Sequence, residues 1–230
     1  GTSSLSQDTE IPPKPSQDVY SGKTVADSEM AMGLIESRYQ NAPRVGETAP
    51  AFELYSLKRQ GNVRLADLIS EKPTVLLFSS WGCDVFRETS GGFERIRRTF
   101  ENRVNFVMVY IRDAHPEGGF GGSLGRTKDP LNLEARRETA TLCTRQMSLG
   151  MEVLIDEMDD SVATRWAAWP TRLFVVDTDG KVAYAGAQGP WGFKPFEGYI
   201  HHNFQPEDLD PAFSQESLEA YLIARFAKES

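Results

Sequence analysis

The chain has few of the residues that make the most common kinds of site. Of its 230 residues only two are cysteine and three are histidine. Two cysteines exclude a disulfide-dense scaffold and any all-cysteine zinc site, and they fit a reducing or an oxidising compartment alike. Basic residues are also short: 25 Lys and Arg against 33 Asp and Glu leave a net charge of −8. A general nucleic-acid binder would show the opposite balance. No apolar run approaches the ~18 residues of a membrane span. There is no Asn-x-Ser/Thr acceptor and no Cys-x-x-Cys pair, since Phe86 stands three places after Cys83. The start, Gly1-Thr2-Ser3-Ser4, has neither the basic opening nor the apolar stretch of a secretory signal. What is present, 40% apolar and 25% charged residues, is ordinary globular composition, and the length suits one domain with extensions.

The patterning divides the chain into three parts. Residues 1–44 read as a flexible leader, rich in Ser, Gln, Asp and Pro, with a short weak helix from about Thr24 to Tyr39. Residues 45–200 carry the compact domain. Residues 201–230 are a loop followed by an amphipathic helix at 214–228, with Ser214 as its expected N-cap. Within the domain, Ala51–Leu57 and Asn62–Leu65 predict a hairpin. Thr74–Ser80 and Asn105–Ile111 are unbroken apolar runs, the pattern of strands buried on both faces. Phe86, Phe93, Ile96 and Phe100 recur at helical spacing despite Gly91 and Gly92. A helix is expected over Leu133–Met147, a strand over Glu152–Ile155 and a short helix over Ser161–Ala168. A second hairpin, Arg172–Val176 and Val182–Gly186, turns at Asp177-Thr178-Asp179-Gly180. Strands separated by helices imply an α/β fold with a parallel centre, and the late hairpin adds an antiparallel edge.

The chemistry-bearing residues fall at strand ends. Cys83 follows a buried strand and opens a helix, a position where unpaired N–H groups and the helix dipole favour a thiolate. Asp84 beside it acts the other way. The bland reading of Cys83 is an inert buried thiol. His115 follows the next buried strand and so falls at the same sheet edge, where it either donates a proton or serves only as a loop hydrogen-bond donor. Asp113 either orients that imidazole or is a solvated charge. Pro170 leads into a strand and is a candidate cis-proline, and Arg172 beside it either holds a thiolate or substrate carboxylate or forms a surface ion pair. Cys143, in the expected 133–147 helix, is either core or a resolving thiol for Cys83. Three other signals fail. Gly22-Lys23-Thr24 lacks the earlier glycine and strand of a phosphate loop. The glycines at 118–125 do not make G-x-G-x-x-G and suit a lid, with Phe120 resting on a ligand. His201 and His202 are adjacent, point apart and have no evident third ligand, so no metal is expected.

In four stretches the chain resembles the iodothyronine deiodinase family. FSSWGCDVF looks like the family's nucleophile segment and places Cys83 at the selenocysteine position. VYIRDAHPEGG looks like its strand ending in an acidic-Ala-His motif and places His115 on the catalytic histidine, with Asp113 as the acidic residue. VLIDEMDDS followed by PTRLFVV resembles the late helix and strand and places Arg172 at the family's arginine. AYAGAQGPWGFKP resembles the Gly-Pro-Trp segment. The likeness implies a thioredoxin-like, peroxiredoxin-related fold: a central mixed sheet flanked by helices, here with N-terminal and C-terminal extensions.

Three functions follow for comparison. The first is thiol-dependent reductive dehalogenation of an iodinated or otherwise halogenated aromatic. Cys83 is then the nucleophile, with His115, Asp113 and Tyr110 on the proton. Arg172, Trp81, Phe120, Pro170, Trp191 and Phe193 line the substrate, and Cys143, an external thiol reductant or a thioredoxin-type protein restores Cys83. The second is a peroxiredoxin-like peroxidase or general thiol oxidoreductase, in which Cys83 becomes a sulfenic acid while Ser80 and Arg172 polarise the peroxide. The third is a non-enzymatic interaction module. No bound cofactor is expected in any of them, and the terminal helix either packs on the domain or pairs with a second copy.

Overall fold

The computed structural model describes residues 42–117, 128–190, 192–199, 201, 212–213 and 216–226. The expected leader helix, the glycine-rich lid, Phe120, Trp191, His202 and Ser214 lie outside the described residues.

Seven strands form one sheet in the order β2-β1-β5-β4-β3-β6-β7. The hairpin β1 (Glu53–Ser56) and β2 (Gly61–Arg64) leads through a one-turn helix, α1 (Leu65–Leu68), into β3 (Thr74–Ser79). Helix α2 (Asp84–Phe100) follows, then β4 (Asn105–Tyr110), α3 (Leu133–Gln146), β5 (Glu152–Ile155), the short α4 (Ser161–Arg165), β6 (Arg172–Val176), β7 (Val182–Ala185) and α5 (Leu218–Phe226). The two unbroken apolar runs sit at the centre. β3 and β4 run parallel in register, Thr74 opposite Asn105 and Ser79 opposite Tyr110, and β4 continues parallel to β5. Every β3 residue is buried, as its unbroken apolar run and its central place between β4 and β6 lead one to expect.

Both edges are antiparallel, not the late one alone. β6 runs against β3 and β7 against β6, while β1 runs against β5. The early hairpin therefore joins the far side of the sheet. The late hairpin turns as its sequence requires: Gly180 takes φ +80, the Gly180 N–H donates to the Asp177 carbonyl at 2.9 Å, and the Asp177 N–H donates to the Lys181 carbonyl at 2.9 Å. Two helices end differently from expectation. α4 stops at Arg165 rather than Ala168, because Ala167 takes φ +45. α5 begins at Leu218, and the Ser217 hydroxyl oxygen accepts the Ala220 N–H at 3.0 Å.

Helix α5 packs on its own domain. Leu218 and Leu222 are fully buried, the Tyr184 hydroxyl donates to the Glu216 carbonyl at 2.9 Å, and Arg225 pairs with Asp177 at 2.6 Å. One face of the sheet is filled by an aromatic cluster in which Trp166 lies 5.4 Å from Phe78 and 4.9 Å from Phe174. Phe78 is wholly buried in it. Phe78→Ala is expected to cost about 3–5 kcal/mol of unfolding free energy, read as a lower urea midpoint, because its rigid neighbours cannot collapse into the space.

Candidate active site

The carboxyl ends of β3 and β4 come together, as parallel neighbours must, and the turns that leave them are tied to each other. The Ile111 N–H donates to the Ser79 carbonyl at 3.0 Å, and the Ala114 N–H donates to the Ser80 hydroxyl at 3.1 Å. The Tyr110 hydroxyl accepts the Trp81 N–H at 3.1 Å. Asp113 makes the firmest tie. One carboxylate oxygen accepts the Gly82 N–H at 3.1 Å and the other accepts the His115 N–H at 3.0 Å. Gly82 is needed there, since a Cβ on it would lie 1.9 Å from Asp113 Oδ1. Asp113 is therefore not a solvated charge: it is buried and spans the two loops that carry Cys83 and His115.

Cys83 stands at the N-cap of α2, where its carbonyl accepts the Arg87 N–H at 3.1 Å. Its environment reverses the expectation drawn from the helix terminus. The residue is 1% exposed, and burial pushes the thiol up to about 12. The Phe86 N–H and the Ser79 hydroxyl favour the thiolate, while the Asp84 and Asp113 carboxylates oppose it. Desolvation outweighs the helix terminus, so the resting group is a protonated thiol. Burial also pushes up the Asp113 carboxyl and the Tyr110 hydroxyl.

The other expected residues are distributed around this point. His115 is half-buried on the β4 side. Trp81 is half-buried, with the Arg87 guanidinium 5.1 Å from its ring. The Trp169-Pro170 bond is cis, and the Thr171 hydroxyl beside it donates to the Phe78 carbonyl at 2.9 Å. Arg172 is no surface ion pair: it is buried, donating from Nε to the Gly186 carbonyl at 2.8 Å and from Nη1 to the Ala167 carbonyl at 3.0 Å. Its guanidinium also lies 4.3 Å from the Phe213 ring. Phe193 is buried among core residues. Cys143 is a buried free thiol, as is Cys83. Among the described residues no group of three or more His, Cys, Asp or Glu side chains is placed to hold a metal ion.

Two features escaped the sequence. The first is His201, which reaches back 117 residues so that its Nε2 lies 3.2 Å from Asp84 Oδ2. Nothing local announces this contact, and only the scarcity of histidine draws the eye to it. The second is a buried charge cluster behind the site. Asp160 pairs with Arg136 at 3.1 Å and with Arg112 at 3.5 Å, and Arg112 stands 3.6 Å from Asp129. Asp129 Oδ1 has no hydrogen-bond partner among the described residues, and burial pushes its carboxyl up to about 7. A carboxyl that holds its proton more tightly folded than unfolded stabilises the fold fully below the ordinary carboxylate range and loses that contribution as pH rises toward about 7. Asp129→Asn is therefore expected to flatten the fall in urea midpoint between about pH 4 and about pH 8.

Comparison with known proteins identifies relatives of the chain and of its fold. The chain is 30% identical over 159 residues to thyroxine 5-deiodinase of Sparus aurata and 31% identical over 153 residues to that of Gallus gallus. These matches cover 68% and 65% of this chain, and 59% and 58% of the two relatives, so the chain spans under two thirds of their length. Among solved structures, an uncharacterized conserved protein from Geobacillus kaustophilus superposes with a TM-score of 0.52 at 23% identity, covering 70% of this chain and 77% of its own. A protein described as a thiol:disulfide interchange protein DsbE, from Chlorobium tepidum, gives 0.52 at 18% identity, covering 80% and 98%. The fold is thioredoxin-like. The family model for iodothyronine deiodinase matches residues 24–201, more than three quarters of the sequence, and this chain belongs to that family.

Proposed function

We propose that the chain is a thiol-dependent oxidoreductase that removes halogen reductively from an iodinated or otherwise halogenated aromatic of the iodothyronine kind. One observation carries the reading: the Asp113 carboxylate joins the Cys83 loop to the His115 loop through the Gly82 and His115 N–H groups. A nucleophile and a proton donor are thereby held on one sheet edge, where α/β folds place their sites. The Cys83 thiolate attacks the halogen. A sulfur–iodine bond forms, the carbon–iodine pair passes to the ring carbon, and that carbon takes a proton supplied by way of His115. Aryl iodide, thiolate and proton thus give arene and sulfenyl iodide. A second thiol, from Cys143 or an external reductant, attacks the sulfenyl sulfur, releasing iodide and forming a disulfide. Further reductant restores the thiol. Arg172 braces the rim in this reading, since its guanidinium donates to two main-chain carbonyls.

The buried, protonated Cys83 favours a second reading, in which the fold is kept as an interaction module without chemistry. Iodide release from thyroxine or diiodotyrosine with dithiothreitol separates the two. Release that needs dithiothreitol and rises toward alkaline pH, as the thiol ionises, supports dehalogenation. Absence of release, with sulfenic acid forming on Cys83 under hydrogen peroxide, transfers the thiol to peroxide reduction. Absence of both leaves the interaction module.

A further inference from the structure

The segment after β7 runs back along α2. Asp84, Glu88 and Gly92 follow one another at intervals of four and share one face of that helix. Each meets a residue of the segment, in reverse order. The Phe196 ring fills the space beside Gly92, where a Cβ would come within 2.2 Å of it. The Tyr199 hydroxyl donates to Glu88 Oε2 at 3.1 Å, and His201 Nε2 lies 3.2 Å from Asp84 Oδ2. The segment thus ends with a buried imidazole, 4% exposed, on the carboxylate next in sequence to Cys83.

We propose that His201 is a positioning residue of the Cys83 site: its ring holds the Asp84 carboxylate and so limits how far that carboxylate suppresses the neighbouring thiolate. The inference rests on Cys83 as the reactive thiol. Several groups bear on that sulfur. Asp84 from α2 and Asp113 from the loop after β4 disfavour its anion. Cys143 from α3 interacts with it, as does Tyr199 from the segment itself. Arg87 bears on Cys143 and His115 on Asp113. Asp84 is the member of this set that lies against His201, with Nε2 and Oδ2 3.2 Å apart, and hydrogen bonds to a carboxylate are among the stronger ones. The second Asp84 oxygen accepts the Val85 N–H at 2.9 Å, so the carboxylate cannot swing away from the helix terminus.

The test is the rate of iodoacetamide alkylation at the Cys83 peptide in the full chain, followed by mass spectrometry from about pH 5.5 to about pH 9.5. In His201→Gln the rate falls about three- to tenfold, the size expected when a carboxylate beside the thiol loses its partner. In Asp84→Asn the rate rises at alkaline pH, and adding His201→Gln to that variant changes nothing further. This second variant keeps the test valid where His201→Gln does not fold. An unchanged profile in His201→Gln overturns the proposal, and so does an unchanged alkaline rate in Asp84→Asn. A uniform acceleration at every pH also overturns it, since that is the signature of a mechanical latch over the thiol. A wild-type Cys83 that resists alkylation throughout overturns the thiol reading itself, an outcome distinct from the others.

Discussion

Cys83→Ser is expected to reduce iodide release to the level of buffer with dithiothreitol, a loss of at least about 100-fold, while the protein stays folded. The size of the loss follows from what the nucleophile must do. A hydroxyl is weakly nucleophilic until a base activates it, and soft sulfur suits attack on iodine where oxygen does not. The retained fold follows from the local structure. Cys83 is buried and unbridged, so exchanging sulfur for oxygen creates little space and breaks no crosslink. It is also the N-cap of α2, a position at which serine is among the preferred residues. The stabilising cap and the cost of placing a hydroxyl in a buried wall nearly offset each other, within about 1 kcal/mol. A melting temperature close to wild type, together with lost release, makes Cys83 the nucleophile. Release that survives the substitution assigns the chemistry elsewhere.

Much of the fold was legible because its signals are local. The runs 74–80 and 105–111 announce buried central strands by lacking alternation, and they became β3 and β4 within one residue at each end. The turn at Asp177–Gly180 fixed the late hairpin through one glycine in the left-handed region. Sheet order is a different kind of information. That β1 pairs with β5 depends on which edge stays uncovered after the parallel centre assembles, and no residue of the early hairpin states this. The site divides in the same way. Cys83 and His115 could be placed on one edge from strand succession alone. The reversal of the thiol's expected ionisation could not, because it is set by burial that several distant segments create together. The same applies to Arg172, whose partners are carbonyls of Ala167 and Gly186, groups every residue possesses and no sequence pattern marks. His201 is the extreme case, a contact made across 117 positions.

Gly82→Ala is the substitution expected to do the most damage without touching a reacting atom. The added Cβ would lie 1.9 Å from Asp113 Oδ1, 2.9 Å from Asp113 Cγ and 3.1 Å from the His115 carbonyl oxygen. Two of these atoms belong to a short carboxylate side chain and the third to backbone, so no long flexible group can give way. Asp113 must leave its place, and the N–H groups of buried Gly82 and half-buried His115 then lose this acceptor. A buried orphaned donor costs roughly 1–3 kcal/mol and a half-buried one less, so the variant is expected to lose about 2–5 kcal/mol in urea unfolding. Activity is expected to fall further than stability, because the loops bearing Cys83 and His115 then move independently, and a displacement near 1 Å can cost about 100-fold in rate. Asp113→Asn is the control that separates the two effects. It keeps the volume and one acceptor, so it is expected to retain more stability than Gly82→Ala. It also removes a negative charge beside Cys83, which favours the thiolate. Faster alkylation of Cys83 in Asp113→Asn, with slower alkylation or none in Gly82→Ala, would show that Asp113 trades thiol ionisation for alignment of the site. Equal activity in Gly82→Ala and wild type would mean that the two loops hold their geometry without the carboxylate between them.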